Sequence, residues 1–435
     1  MDMALRYGEL MSMKSAFFFF TVVLTLIGAP VSAEITNLDF RIGAEYRDNA
    51  RRTEENEIDD TIALVGVTLN VAHESARFSG YIIGDFEFRR YIEDSFEDDN
   101  YSSASAMAKF QLAPQVLSWV IEDQYGTLIS DPFRARTPDN LENINSFSTG
   151  PDFTMRMGSR TSITFGARYT DTTFEISNDD NTMLRGNLAL VRTLTANRSL
   201  SVNVSADRIE YDETLLFSDY DRNSIFVQFN SAISRGSIEV RLGTNEIRDF
   251  GEKSTGTLAG LSWNRELSAS SEFSLGYDRG FSDAGNIFRR FQQPGVGDPQ
   301  LTVANGEPFE NQQVWAEYAY VRGGTSANIH LSWDDDDYLS TTARDRSRYR
   351  LLAEFARRIA TSWEARLTLD FERFEFNAGT REDDDTGVTL GVSRDLNRRL
   401  RIDFDLFRDE RNSNEPSQSH VDNGGRLTLT YGLHQ

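Results

Sequence analysis

The sequence predicts an all-β chain: a transmembrane antiparallel up-and-down β-barrel of roughly 18 to 20 strands. Three observations point there. Apolar and polar residues alternate with period two from residue 34 onward, as in strands with one greasy and one polar face. The links between these stretches alternate between short turns and long acidic loops, the two ends of an outer-membrane barrel. Past the amino terminus, no apolar run approaches the about 20 residues that a spanning helix requires.

Composition fits this reading. The chain has 435 residues, a formal charge of −23 and no Cys, and its mean hydropathy is −0.47. Such polarity excludes a helical membrane bundle but not a barrel, in which only every second strand residue faces lipid. Without Cys there is no disulfide framework and no thiol chemistry. Lysine occurs only at Lys14, Lys109 and Lys253, so Arg carries nearly all the positive charge; its planar fork suits fixed pairing with carboxylates. The acidic excess excludes nucleic acid as a partner, because that requires a basic surface.

The amino terminus reads as a secretory leader. Lys14 precedes an apolar run over 16–29, and Val31-Ser32-Ala33 supplies a small-residue cleavage site. Residues 1–33 are therefore expected to be a signal peptide and 34–435 the barrel, in the outer membrane of a Gram-negative cell. Met11 or Met13 is the alternative start.

In the first strand Leu38, Phe40, Ile42, Ala44 and Tyr46 oppose Asn37, Asp39, Arg41, Gly43 and Glu45. The same alternation sets Leu200, Val202 and Val204 against Ser201, Asn203 and Ser205, and Ala365, Leu367, Leu369 and Phe371 against Glu364, Arg366, Asp370 and Glu372. Short turns are expected at 73–75, 113–115, 158–160, 195–197, 234–236, 268–270, 323–324 and 397–398. Long loops are expected at 48–60, 93–100, 127–145, 177–181, 212–223, 282–312, 334–346, 379–385 and 408–422. Four turns share a frame in which an Arg precedes an aliphatic residue by two places: Arg192 and Leu194, Arg265 and Leu267, Arg357 and Ile359, Arg394 and Leu396. The Arg belongs at the periplasmic headgroups and the aliphatic at the last lipid-facing position. Trp119, Trp263 and Trp363 lie where an aromatic girdle belongs. Pro151 interrupts a strand and predicts a bulge or a late strand start. The stretch 288–309, with Pro294, Pro299 and Pro308, is either an exposed loop or a constriction folded into the lumen.

Catalytic chemistry finds little support. His73, His330, His420 and His434 are the only histidines; His330 faces the lumen beside Ser332, but residues two apart in a strand point in parallel, not toward each other. The chain is not expected to be an enzyme or to carry a cofactor or metal. The acidic runs 54–60, 97–99, 334–337 and 382–385 lack the Gly and spacing of a calcium loop and read as solvated loops among cation-bridged lipopolysaccharide. What remains is a lumen lined with both signs of charge. Arg41, Arg77, Arg89, Arg168, Arg241, Arg348, Arg350, Arg366 and Arg401 are expected to project inward, beside Glu45, Asp85, Glu122, Glu239, Glu317, His330, Asp370 and Asp403. Such rings set selectivity in pores or pair across strands to fill the interior.

Two further stretches carry resemblances. Gly424, Leu427, Leu429 and Tyr431 resemble the terminal strand by which outer-membrane proteins are recognised, which implies the barrel assembly machinery as a partner, although the chain continues past the aromatic. Trp119-Val-Ile-Glu-Asp-Gln-Tyr-Gly126, with Thr137-Pro-Asp-Asn-Leu-Glu-Asn-Ile-Asn145 and Phe147-Ser-Thr-Gly-Pro-Asp152, resembles outer-membrane β-barrel porins associated with exopolysaccharide biosynthesis and export loci. That resemblance implies a porin-like or secretion-associated pore, with outer-membrane lipid, lipopolysaccharide, polysaccharide and periplasmic export components as partners. A non-conducting barrel anchoring an envelope assembly is the alternative.

Overall fold

The computed structural model describes residues 34–213, 218–249, 252–291, 306–339, 344–376 and 381–433. The expected leader at 1–33, His434 and the centre of the 288–309 stretch lie outside the described residues. Twenty strands follow in chain order: β1 (Glu34–Arg47), β2 (Asp60–Glu74), β3 (Phe78–Tyr91), β4 (Asp99–Ala113), β5 (Leu117–Ile129), β6 (Leu141–Arg156), β7 (Thr161–Phe174), β8 (Asn181–Thr195), β9 (Arg198–Tyr211), β10 (Tyr220–Ile233), β11 (Gly236–Asp249), β12 (Glu252–Ser268), β13 (Ser271–Ser282), β14 (Phe309–Arg322), β15 (Thr325–Tyr338), β16 (Arg346–Ala360), β17 (Trp363–Phe376), β18 (Arg381–Asp395), β19 (Leu400–Ser413) and β20 (His420–Gly432). A helix, α1 (Ala284–Phe291), follows β13.

Each strand pairs antiparallel with the next, and β1 closes on β20 through Phe40↔Tyr431 to Arg47↔Gly424. Closure leaves no open edge, the condition under which a sheet can sit in hydrocarbon. The outer face is studded with exposed Phe40, Ile42, Val65, Leu188, Val204, Leu242, Phe371 and Leu390 all round the barrel. A soluble sandwich would bury these side chains, whereas a lipid-facing wall presents them.

The periplasmic rim follows the sequence frame. Leu194, Leu267, Ile359 and Leu396 are exposed at the strand ends, and Trp119 and Trp363 stand beside them. The Arg394 guanidinium lies 5.1 Å over the Trp363 ring, a cation–π contact at headgroup depth.

Three expectations need correction. Several expected loops are the outer ends of strands, because strands of 12 to 17 residues exceed the roughly 9–11 that cross a bilayer. Acidic residues at 334–337 and 382–385 thus sit in β15 and β18, where their alternation continues the period. The turn at 361–362 is the one implied by the Arg357 and Ile359 frame, whereas the break between β11, ending at Asp249, and β12, starting at Glu252, was not among the expected turns or loops. Finally, β6 passes through Pro151 without a register shift: Thr149↔Tyr169 and Asp152↔Gly166 share one frame. Arg168 Nη1 donates to the Pro151 carbonyl at 3.1 Å and to the Ala167 carbonyl opposite it at 2.9 Å, so the β7 acceptor that the missing proline N–H leaves unserved is satisfied by a side chain.

One irregularity positions the site. The pairing of β13 with β12 stops at Ala259↔Arg279, while its ladder to β14 continues to Ser282↔Phe309. The end of β13 therefore leaves the wall and bends inward. Phe281 tucks among Met183, Ile209, Tyr211, Tyr220 and Ile247, and α1 begins inside the barrel.

Candidate functional site

The outer half of the lumen is built from two infolded loops and the charged wall that grips them. Asp283 starts the first. Its Oδ1 accepts the Asn286 N–H at 2.7 Å, capping α1 by satisfying one of the free donors of its first turn. Its Oδ2 accepts from Tyr220 Oη at 3.0 Å and Arg222 Nη1 at 2.9 Å. Arg222 turns its other face to Asp207 at 3.0 Å, and Asp207 is also held by Arg185 Nε and Nη2, each at 2.8 Å. The side chains of Arg222 and Asp207 are only 6% and 3% exposed, so this network is desolvated and each charge depends on its partners.

The rest of α1 reaches other walls. Phe288 is fully buried with Leu128, Ile144 and Phe174 of β5, β6 and β7. Arg289 Nη1 donates to Ser146 Oγ and Thr172 Oγ1, both at 3.2 Å, and Arg290 bonds Asp278 at 2.9 Å and Asn311. Ile287 packs with Phe309 and Tyr338. Of the two readings for 288–309, the described part is the infolded one.

Burial, with Arg185 and Arg222 nearby, pushes the Arg289 guanidinium down to about 10, so it stays charged at neutral pH. Burial would raise the Asp283 carboxyl, but the Arg222 and Arg289 guanidinium groups outweigh it and hold the group below its ordinary value.

The second loop joins β5 to β6. The Asn140 side chain organises it, donating to the Asp131 and Ala135 carbonyls at 2.8 and 3.0 Å and accepting the Asp131 N–H at 2.9 Å. Three arginines then take its carbonyls, two from the far wall and one from the β1–β2 connection: Arg381 bonds Phe133 O at 2.8 Å, Arg411 bonds Arg134 O at 3.3 Å and Arg52 bonds Arg136 O at 3.0 Å. Phe133 packs against Phe376 with the ring centroids 5.0 Å apart and the planes tilted by 45°. Between this loop and the wall lies a cavity of about 740 Å³ with Arg52, Arg89, Arg136 and Arg411 facing Glu87, Glu372, Asp385 and Asp409.

Of the residues expected to line the lumen, Arg77 is the exception: it lies exposed in the turn between β2 and β3. The others occupy inward strand positions. Arg41 spans β2 to reach Asp85 at 2.7 Å. Glu45 is held by Arg47 and Arg426, and Arg89 pairs with Glu87 at 2.7 Å. Arg168 bonds Asp152, Arg241 bonds Asp278 and approaches Glu239, and Glu122 is half-buried on β5. Arg348 bonds Asp334, Arg350 bonds Asp370 and Glu372, and Arg366 and Arg401 share Asp403. His330 stands 4.0 Å from Glu317.

The ion-pair latch that anchors α1 consists of Arg185, Asp207, Arg222 and Asp283; the alternation of the strand from Leu200 puts Asp207 on its polar face, but none of the four is among the expected lumen-lining residues. Residues 212–223 had been assigned to a loop, although Tyr220, Arg222 and Ser224 carry the alternation of the strand that follows. Among the described residues no three His, Asp or Glu side chains converge as metal ligands would.

No protein-family model and no curated protein matches the sequence. Solved structures do. The siderophore receptor PirA from Acinetobacter baumannii aligns over 92% of this chain and 81% of its own at 9% identity and a TM-score of 0.48. The FrpB iron transporter from Neisseria meningitidis (F3-3 variant) aligns over 91% and 82% at 9% identity and a TM-score of 0.44. The siderophore receptor PirA from Pseudomonas aeruginosa aligns over 92% and 81% at 10% identity and a TM-score of 0.42. Closure, the apolar belt and the rim aromatics decide the setting. This chain is an outer-membrane β-barrel.

Titration of the outer-membrane barrel's loops gives one expected result. Asp179, between β7 and β8, is raised to about 6 by burial and by the nearby Glu142 carboxylate. Asp180 is likewise raised to about 6 by burial and by Asp212. A carboxyl raised in the folded state binds protons more tightly there than when unfolded. It therefore favours the closed loops below about pH 6, and that contribution is lost as pH rises through 6. Hydrogen exchange of residues 175–180 and of Gly306 and Glu307 should be slower at pH 5 than at pH 7 after correction for intrinsic rates. Asp179→Asn should shrink that difference; an unchanged difference would refute the assignment.

Proposed function

We propose that the barrel is a restricted pore for hydrophilic solutes, with α1 and the β5–β6 loop forming its extracellular constriction. The observation that carries this reading is Arg289, which reaches from α1 across the lumen to Ser146 and Thr172. A barrel of this strand number is wide enough for an aqueous channel unless a segment obstructs it, and here the obstruction is held by the Arg289 and Arg290 hydrogen bonds, the buried Asp283–Arg222 pair and the packing of Phe288. The mixed-charge wall below suits neutral polar cargo better than ions of one sign. Passage of polysaccharide, with periplasmic export components as partners, rests on the resemblance of residues 119–152. Recognition of the Gly424 to Tyr431 strand by the barrel assembly machinery rests on its pattern alone.

Planar-bilayer conductance of the refolded protein tests the reading. The intact chain should show small, steady steps, and replacing residues 284–307 with a short Gly/Ser linker should enlarge them several-fold. The density of contacts filling the outer lumen favours one second reading, a non-conducting anchor for an envelope assembly. A heat-modifiable, inserted barrel that conducts in neither form would establish that reading instead.

A further inference from the structure

We propose that the wall around Trp315, midway along β14, is a binding platform for a neutral hexose unit of a glycan. The proposal rests on the pore reading, since the ligand reaches the platform through the lumen.

The chain has five Trp. Trp119, Trp263, Trp333 and Trp363 occupy outward strand positions, where the membrane interface accounts for them. Trp315 is on the other face: it stands opposite Gly276 of β13 and Ser332 of β15, on the same side as Asp278, Glu317 and His330. A large aromatic in a polar lumen has no lipid to meet. Gly276 explains its posture. Any Cβ at 276 would run into the indole, so glycine lets the ring lie flat against the wall instead of standing out from it.

The His330 ring lies 6.3 Å from the indole and within 16° of parallel. The two near-parallel rings together form an aromatic surface just periplasmic of the point where Arg290 grips Asp278 and Asn311. Beside these rings, Glu317 has a 38% exposed side chain, and the one basic side chain within 4.0 Å of its carboxylate among the described residues is the His330 ring. Most other acids on this wall are held by arginine. Glu317 is not, among the described residues.

This arrangement matches the two faces of a pyranose. Its C–H face carries partial positive charge and stacks on the negative face of an aromatic ring, while its edge presents hydroxyl donors that an ionised carboxylate accepts strongly. An uncommitted carboxylate at the rim repels an anionic sugar, which selects a neutral one.

Calorimetric titration of the full, refolded chain in detergent tests this without requiring conduction. Cellohexaose should bind, and hexagalacturonate should bind more weakly. Trp315→Ala should weaken cellohexaose at least about tenfold, equivalent to about 1.4 kcal/mol. Trp315→Phe should retain part of the affinity, and Glu317→Gln should reduce it several-fold. Heat-modifiable migration confirms that each variant is folded. Wild-type affinity in Trp315→Ala, no cellohexaose binding by the native chain, or tighter binding of hexagalacturonate would each overturn the proposal. A barrel that conducts but does not bind cellohexaose loses only the platform; one that binds but never conducts loses the pore.

Discussion

Replacing Arg222 with Met is expected to destabilise the folded barrel by about 3–5 kcal/mol, the usual consequence of removing one partner from a buried ion pair. The guanidinium is shared by Asp207 and Asp283, and both carboxylates stay behind. Asp207 retains Arg185. Asp283 retains only the Tyr220 hydroxyl, the Asn286 N–H and the field of Arg289, so the larger share of the loss falls on the anchor of α1. Urea titration of the refolded protein in vesicles measures the first effect. Conductance measures the second, because a helix released at its N-terminus should give larger or flickering current steps. Asp283→Asn adds a check. If the two residues act through one contact, combining the substitutions should cost less than the sum of the single effects. A loss below about 1 kcal/mol with unchanged conductance would show that Arg222 is not the latch.

The latch and the β7–β8 loop respond to acid in opposite senses. Asp283 is held below its ordinary pKa, so its contribution persists until pH falls beneath the usual carboxylate range. Asp179 and Asp180 are raised to about 6 and gain from protonation much earlier. Acidification from neutral pH should therefore first tighten the outer lumen and loosen it only under strongly acidic conditions.

How much of this was legible in the sequence depended on whether a feature was local. The barrel, its rim and the inward face of most strands follow from period two, because burial of one face fixes every second residue. Arg41 and Asp85 could each be placed inward from their own strands, although nothing local shows that they meet across Thr68. The acidic runs at 334–337 and 382–385 looked like loops because charge density was taken for solvation. In a barrel the inner face of a long strand end is solvated too, and Asp334 and Asp336 pair there with Arg348 and Arg346. The latch was not legible because it joins β9, β10 and the loop after β13, and no spacing rule links residues 207, 222 and 283. Trp315 was readable in part: its phase in β14 sets it apart from the other tryptophans, but only the register with Gly276 shows how the ring lies.

The outer face offers the other large effect. Leu242 is the seventh of the fourteen residues of β11 and is 61% exposed, which places it near the centre of the lipid-facing belt. Leu242→Arg should cost about 2–4 kcal/mol, since a guanidinium at the midplane must be desolvated or must drag water and headgroups inward. Leu267 is also exposed and outward, but it lies at the periplasmic end of β12 beside Arg265. Leu267→Arg should cost only about 0–1 kcal/mol, because the charge reaches the interface. The comparison separates a membrane-spanning wall from a soluble sheet. In water neither exposed leucine is buried by folding, and both substitutions would be nearly neutral. Urea unfolding of the two variants in vesicles gives the depth dependence directly. Equal and small losses would contradict the placement of β11 across the bilayer, whereas a steep difference would fix Leu242 near the middle and Leu267 at the rim.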